Sequence, residues 1–170
     1  MRGVLWCNGS IPSKSVVEWV LSTEAPVFGV DGGADKARSL GIEVIEVLGD
    51  MDSVDESSWK GRTIPLKEQS FSDLAKSIEQ LMDRGFEEIE IVGADGGDPS
   101  HILGNWGSMN DAPSGARIRI HHEEQVSTRI HPDEGEFSAE FEEGELFSVF
   151  SIGSGKVWIS GARWEVDGEN

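Results

Sequence analysis

The chain has 170 residues, of which 32 are acidic and 14 are basic, giving a formal net charge of −18. A field of that sign repels the phosphate backbone of nucleic acids, so no nucleic-acid partner is expected. Cys7 is the one cysteine, which excludes an intramolecular disulfide, and no apolar run approaches the ~20 residues of a membrane span. These features predict a cytoplasmic protein without a membrane partner. The acidity is also what a high-salt organism would favour, because salt screens self-repulsion.

The first two thirds of the chain alternate apolar runs with helical patterns. Helical periodicity is clearest where Leu74, Ile78 and Leu81 fall on one stripe after a predicted N-cap at Ser72. A further helix is expected after Ser13. This alternation predicts an α/β fold, with a mostly parallel sheet flanked by helices. The helix with this stripe is predicted at residues 73–84, and other helices at 36–40 and 101–109. Strands are predicted at residues 4–7, 26–30, 42–48, 64–66 and 89–93.

The pattern changes after Pro113. Short segments with alternating apolar and polar residues follow, separated by Gly, Pro or charged turns, and these are β signals. We therefore predict an α/β domain at residues 1–112 and a small all-β, sandwich-like domain at residues 113–170. Its strands are predicted at residues 117–121, 125–130, 136–141, 146–151 and 157–160.

The segment Gly49-Asp50-Met51-Asp52-Ser53 follows the third predicted strand and carries two carboxylates two residues apart. Such a pair can hold Mg²⁺, which typically takes one or two protein carboxylates and fills its octahedron with water and substrate phosphate. The alternative is an ordinary turn, because Gly, Asp and Ser are common where strands end.

Two other acidic, glycine-rich loops also follow predicted strands, at residues 31–34 and 93–98. In a parallel sheet all these loops leave from the same edge, and glycine lets backbone N–H groups approach a phosphate closely. Ser72 and Asp73 add a helix N-terminus, which is itself favourable for anions. Together these segments are expected to form one site.

The order and spacing of the segments resemble the thiamin pyrophosphokinase family. Members of that family carry the motifs DGGA, GDxDS, DxTD and GGRxDH in an N-terminal α/β domain, followed by a smaller β domain. The counterparts here are residues 31–34, 49–53, 70–73 and 96–101. The first two are close matches and the last two are degraded.

The resemblance implies transfer of a diphosphate group from ATP, as co-substrate, to the hydroxyl of thiamin, giving thiamin diphosphate and AMP. Asp50, Asp52 and Asp73 would hold Mg²⁺, and Asp31 would join them as a catalytic residue. The resemblance also implies a homodimer, with the β domain supplying the acceptor site, including Trp164, and the subunit contact. The residues implied in binding ATP are Gly32, Gly33, Ser53, Ser72, Lys76, Gly96, Gly97, Asp98, Ser100 and His101.

Departures from the family motifs keep two alternatives open. Ser70 replaces the first Asp of DxTD, while Asp98 and Ser100 replace the Arg and Asp of GGRxDH. Losing a guanidinium that grips phosphate should weaken anion binding unless a metal or another base compensates. The alternatives are a pyrophosphokinase for another acceptor, such as a pterin alcohol, and a non-catalytic relative that binds nucleotide or thiamin. Four basic residues are candidates to replace the missing guanidinium, and each could instead be a solvated surface charge: Lys14, Lys36, Arg38 and Lys76.

Several aromatic and histidine residues allow two interpretations each. Trp164 could stack on a ligand ring or belong to the core, and His101 could touch the nucleotide or start a helix. His121, His122 and His131 do not show the spacing of a zinc site.

Overall fold

A computed structural model describes residues 1–54, 56–67, 70–153 and 155–169, and the chain divides into two compact units, residues 1–136 and 137–170. The first unit is built around one sheet with four helices. Its strands are β1 (Arg2–Trp6), β2 (Val27–Val30), β3 (Glu46–Gly49), β4 (Thr63–Pro65), β5 (Glu88–Val92), β6 (Arg117–His121) and β7 (Val126–Thr128). Its helices are α1 (Lys14–Val20), α2 (Gly33–Ser39), α3 (Asp73–Asp83) and α4 (Pro99–Asp111), with 3₁₀ turns at Glu56–Trp59 and Pro132–Glu134.

The sheet has the strand order β4-β3-β2-β1-β5-β6-β7. Strands β1 to β6 are parallel, and β7 pairs antiparallel with β6. The predicted α/β fold with a mostly parallel sheet is therefore confirmed. The chain direction across the sheet reverses between β1 and β5, and in open α/β sheets ligands bind in the crevice that opens at such a point.

Both faces of the sheet are buried, which explains why its central strands are continuous apolar runs. Along β1, Leu5 packs on one side with Ile78 and Leu81 of α3. The neighbouring Val4 and Trp6 belong to the cluster on the other side, which includes residues of α1 and α2. The helices thus cover the sheet on both sides and leave its carboxyl edge to the loops. None of the helices in the described residues is long and apolar enough to cross a bilayer.

The first unit ends at Glu136. The boundary between the units therefore lies 24 residues closer to the C-terminus than the boundary predicted after residue 112. The segment around Pro113 is a crossover within the sheet, because β6 pairs parallel with β5 and β7 extends the sheet further. The buried Arg129 guanidinium donates to the carbonyl oxygens of Ala112, Pro113 and Ala116. These bonds join the crossover to the chain after β7, a contact that residue periodicity does not reveal.

The second unit contains a two-stranded antiparallel sheet, β8 (Val157–Ile159) with β9 (Val166–Glu169). The strands predicted at residues 136–141 and 146–151 are not formed, so a single hairpin replaces the predicted sandwich-like arrangement among the described residues. Phe141, Leu146 and Phe150 of these segments are 52%, 87% and 72% exposed. A strand gains little from its apolar side chains when no layer covers them.

Candidate active site

Three carboxylates meet at the carboxyl edge of the sheet. Asp31 follows β2, Asp50 follows β3, and Asp73 is the first residue of α3. One oxygen from each of these side chains lies within 4.8 Å of the others. Among the described residues this is a group of carboxylates whose donor type suits a hard divalent cation and whose oxygens are close enough to share one.

Asp31 is held in place by an unusual backbone and by the next loop. Its φ is +46° and its side chain is almost fully buried, while Met51, with φ +71°, donates its N–H to Asp31 Oδ1 at 3.1 Å. Gly49 has φ +149°, and a Cβ there would overlap the Asp31 carboxylate. Glycine at this position therefore lets the β3 strand end against the carboxylate.

The electrostatics of the group reflect its crowding. Burial, followed by the negative charge of Asp73 and then that of Asp50, raises the pKa of Asp31 to about 7, and the Met51 N–H opposes the rise. Lys76 supplies a nearby positive charge, because its Nζ lies 2.6 Å from Asp73 Oδ1 and donates to the Leu66 carbonyl at 2.9 Å. The cluster thus has more negative charge than its lysine neutralises.

Asp52 lies apart from this group. Its side chain is exposed, and its backbone N–H donates to Asp50 Oδ1 at 3.1 Å in a local turn. Asp52 was predicted as a metal ligand with Asp50 and Asp73, whereas the structure brings Asp31 to those two residues instead. The side chains of a tight turn diverge, so a spacing of two residues does not by itself make two carboxylates converge.

The loop of residues 31–34 packs closely against its neighbours. The N–H of Gly32 donates to Ser53 Oγ at 3.2 Å, which joins this loop to the β3 loop. A Cβ on Gly33 would overlap the Trp6 carbonyl oxygen. Gly32, Gly33 and Ser53 therefore act in the described structure by bringing the loops together, beside the carboxylates.

The N-termini of α3 and α4 use their predicted site residues as helix caps. Ser72 Oγ accepts the N–H of Ala75 at 3.1 Å and lies 2.6 Å from Ser108 Oγ. Asp98 is exposed and accepts the N–H of Ser100 at 2.8 Å, and the hydrogen bonds from the Ser100 backbone and side chain lower the pKa of Asp98. The carboxylate that replaces the family's arginine is thus an N-cap, which is a local role that the sequence did not suggest.

The remaining predicted residues lie in exposed or loop environments. Gly96 and Gly97, with φ of +80° and +79°, lead from β5 to α4, and His101 is an exposed residue in the first turn of that helix. His101 donates its backbone N–H to the Asp98 carbonyl at 2.9 Å. Of the two roles predicted for His101, this contact corresponds to starting the helix. Trp164, in the second unit, is 71% exposed and lies 5.0 Å from the Arg163 guanidinium, so it is not a core residue in this chain.

Each basic residue considered as a substitute for the missing arginine has a local partner. Lys14 pairs with Glu18 at 3.3 Å, and Arg38 pairs with Asp35 at 2.8 Å. Lys36 Nζ donates at 2.6 Å to the carbonyl oxygens of both Asn8 and Gly9. Lys36 therefore fixes the loop after β1. Lys76, beside Asp73, is the candidate that contacts the carboxylate group.

A second polar array lies at the same edge of the sheet, and no sequence motif marks it. His122, just beyond β6, lies between Asp95, at 2.6 Å from Nδ1 to Oδ1, and Ser127, at 3.0 Å from Nε2 to Oγ. These residues come from the β5 loop, the β6–β7 turn and β7. Their sequence spacing has no motif, because the pairing of β5, β6 and β7 brings them together.

The fold and the carboxylate group define an α/β protein with an acidic site at its ligand-binding edge. The family model described as "Thiamin pyrophosphokinase, catalytic domain" matches residues 18–120, more than half of the chain. The chain therefore belongs to the thiamin pyrophosphokinase family. No curated protein gives a significant match.

Solved structures show the same fold. A probable thiamine pyrophosphokinase from Staphylococcus saprophyticus is 27% identical, with a TM-score of 0.58, and the match covers 72% of this chain and 66% of that one. Thiamine pyrophosphokinase from Bacillus subtilis is 20% identical, with a TM-score of 0.59 and coverages of 71% and 60%. Thiamin pyrophosphokinase from Candida albicans is 13% identical, with a TM-score of 0.57 and coverages of 70% and 57%. The matched region thus spans about 57–66% of the length of these relatives.

Proposed function

We propose that this protein is a Mg²⁺-dependent enzyme that transfers diphosphate from ATP to the hydroxyl group of thiamin, giving thiamin diphosphate and AMP. The observation that carries the proposal is the convergence of Asp31, Asp50 and Asp73 at the carboxyl edge of the sheet. Membership of the thiamin pyrophosphokinase family supports the choice of reaction. A location in the cytoplasm remains a prediction from the sequence.

The residues of the cluster fit a magnesium ion. Their donors are carboxylate oxygens, which Mg²⁺ prefers, and Asp50 and Asp73 are partly exposed, so that water and phosphate could complete the coordination. Bound Mg²⁺ would neutralise charge on the ATP phosphates, which is the main requirement of phosphoryl-transfer chemistry. Asp31, Asp50 and Asp73 would hold the ion, and Lys76 would keep Asp73 directed toward it.

The rest of the machinery orients the substrates. Asp52, exposed beside Asp50, is proposed to join the metal or its water shell when the diphosphate is bound. The N–H groups of Gly96 and Gly97 are proposed to face the ATP phosphates, since consecutive N–H groups in positive-φ turns form anion-binding concavities. Ser100 and His101, in the first turn of α4, extend this surface. Positioning of this kind supplies much of the rate in such reactions.

The acceptor site and the homodimer are proposed together. The second unit exposes a series of large apolar side chains, including Leu146, Phe150 and Trp164. Such a concentration of exposed apolar side chains in one short unit is typical of an interaction surface. We propose that the second copy covers them, so that residues 137–152 complete strands on pairing and Trp164 contacts the thiamin ring. Light scattering should give twice the mass of the chain, and Phe150→Asp should shift it toward the monomer.

The first test separates metal binding from turnover. Calorimetry with Mg²⁺ alone should detect binding that Asp31→Asn, Asp50→Asn and Asp73→Asn each weaken at least tenfold. Asp52→Asn should leave binding of the metal alone within about twofold but should lower turnover. Asp83→Asn, at the exposed far end of α3, is the matched control and should change neither quantity.

Turnover is measured as AMP and thiamin diphosphate formed from ATP, Mg²⁺ and thiamin at low and high salt. No product at any salt concentration would refute the proposed reaction, whereas the metal titration would still test the site. A panel of hydroxymethyl and hydroxyethyl heterocycles, including a pterin alcohol, tests the alternative acceptor.

One observation favours a second candidate, a non-catalytic relative that binds nucleotide or thiamin. Asp98, where the family motif has arginine, is fixed as the N-cap of α4 and places an anion at that turn. Mg²⁺-dependent ATP binding without release of AMP would support this candidate. Asp98→Arg should then increase ATP affinity, because it restores a guanidinium that can grip phosphate. Multiple turnovers would rule it out.

A further inference from the structure

Asp95, His122 and Ser127 are linked in the order carboxylate, imidazole and hydroxyl, which is the order of hydrogen bonds that activates a serine. The Asp95 carboxylate is 2.6 Å from His122 Nδ1, and the opposite ring nitrogen, Nε2, is 3.0 Å from Ser127 Oγ. An ionised carboxylate can only accept, so a neutral His122 carries its proton on Nδ1 and donates it to Asp95. Nε2 is then free to accept the proton of the Ser127 hydroxyl. This is the order of contacts that makes a serine nucleophilic.

The array is partly open to solvent. The side chains of His122 and Asp95 are 18% and 39% exposed, and Ser127 is neither buried nor fully exposed. The array therefore lies at the surface of the first unit and not in its core. The residues are also held by separate elements, since Asp95 follows β5 and its carbonyl accepts the N–H of Ser10, while Ser127 lies within β7. The geometry thus does not depend on one flexible loop.

The surroundings indicate the kind of substrate. The Trp106 ring lies with its centroid 6.4 Å from that of His122, which provides an apolar wall for a short acyl group. The net charge of −18 disfavours an anionic substrate that binds without a metal ion, in contrast to ATP, whose phosphate charge Mg²⁺ would neutralise.

We propose that Asp95, His122 and Ser127 form a second, metal-independent site that hydrolyses small uncharged acyl esters. Ser127 Oγ would bond to the ester carbonyl carbon while its proton moves to His122 Nε2. The bond from that carbon to the alkoxy oxygen then breaks, and the alcohol leaves with the proton. Water attacks the acyl-serine, its proton passes through Nε2 back to Ser127 Oγ, and the carboxylic acid is released.

The test uses the full chain in EDTA without ATP, so that its outcome does not depend on the diphosphate-transfer proposal. A neutral alkyl fluorophosphonate probe should label Ser127, as located by peptide mass mapping, and the chain should hydrolyse p-nitrophenyl acetate above the buffer rate. His122→Gln should slow labelling by about 100-fold or more, which is typical for loss of a general base. Asp95→Asn should also slow it, because an amide can stabilise the wrong ring tautomer.

Ser127→Ala should abolish labelling, while Ser10→Ala, a second serine at the same edge, should leave it unchanged. Thermal unfolding of each variant identifies loss of folding, and rates are compared only among folded variants. A purely structural array would change the melting temperature but leave the native chain unlabelled. The proposal is overturned if native protein is not labelled above the denatured protein, or if the label lies on a serine other than Ser127.

Discussion

Glu90 forms the centre of a buried ion cluster whose contribution to stability can be measured directly. It lies in β5 with its side chain fully buried. His121 Nε2 is 2.6 Å from Glu90 Oε2, Arg119 Nε is 3.0 Å from the same oxygen, and Arg2 Nε is 3.3 Å from Oε1. Glu90→Gln keeps the shape of the side chain and removes its charge, which leaves these groups without their counter-ion.

The pKa of Glu90 sets the expected magnitude. Burial raises this pKa, but the hydrogen bonds and charges of His121 and Arg119 outweigh burial and lower it from 4.5 to about 2. At about 1.4 kcal/mol for each pKa unit, the ionised form is favoured in the folded state by about 3 kcal/mol. Removal of one partner of a buried pair costs a similar 3–5 kcal/mol, roughly. We therefore expect Glu90→Gln to lower the free energy of unfolding by about 3 kcal/mol near neutral pH.

Urea denaturation across a pH series provides the assay. The folded pKa lies below the unfolded one, so this stabilisation is fully present above about pH 4.5 and is lost as the pH falls through about 2. The unfolding free energies of the parent and Glu90→Gln proteins should therefore converge toward acid. Glu124→Gln, an exposed residue in the β6–β7 turn, is the matched control and should change stability by no more than about 0.5 kcal/mol.

The reasoning fails on either of two results. A loss below about 1 kcal/mol near neutral pH would mean that the cluster contributes little more than an exposed ion pair. A loss that stays constant from neutral to acid pH would mean that packing, and not the carboxylate charge, is the cause.

Three further predictions concern the carboxylate group and the net charge. Lys76→Met should lower the melting temperature in EDTA, because it increases the repulsion between the carboxylates around Asp73. Mg²⁺ should then stabilise the variant more than the parent protein. Equal stabilisation of both would contradict a neutralising role for Lys76. Gly49→Ala should lower the free energy of unfolding by about 1–3 kcal/mol in urea denaturation and weaken Mg²⁺ binding, because φ is +149° and the new Cβ would meet the Asp31 carboxylate. Stability and affinity equal to those of the parent would show that the loop adjusts. Because the chain carries a net charge of −18, its melting temperature should rise as the salt concentration increases from about 0.1 M to about 1 M. Over this range the Debye length falls from about 10 Å to about 3 Å, which screens the repulsion between like charges. An unchanged melting temperature would exclude self-repulsion as a limit on stability.

The sequence determined much of the first unit. The apolar runs and the helical stripe of Leu74, Ile78 and Leu81 predicted the parallel sheet and its best helix, because local periodicity and burial on both faces of the sheet leave a direct pattern. The family motifs placed Asp31 and Asp50 in acidic loops, and Asp73 at a helix N-terminus, that share one edge of the sheet. A parallel topology makes such loops meet whatever their separation in the chain.

Only the tertiary structure decided which side chains converge. It brought Asp31, and not Asp52, to Asp50 and Asp73, because the turn after β3 directs neighbouring side chains apart while the backbone of Asp31 turns its carboxylate inward. It extended the first unit through β6 and β7 by strand pairing and by the Arg129 hydrogen bonds to the crossover. The spacing of residues along the chain specifies which helices and strands form. The distances between carboxylates depend instead on strand order and loop conformation, and these are determined jointly by residues that are far apart in the sequence.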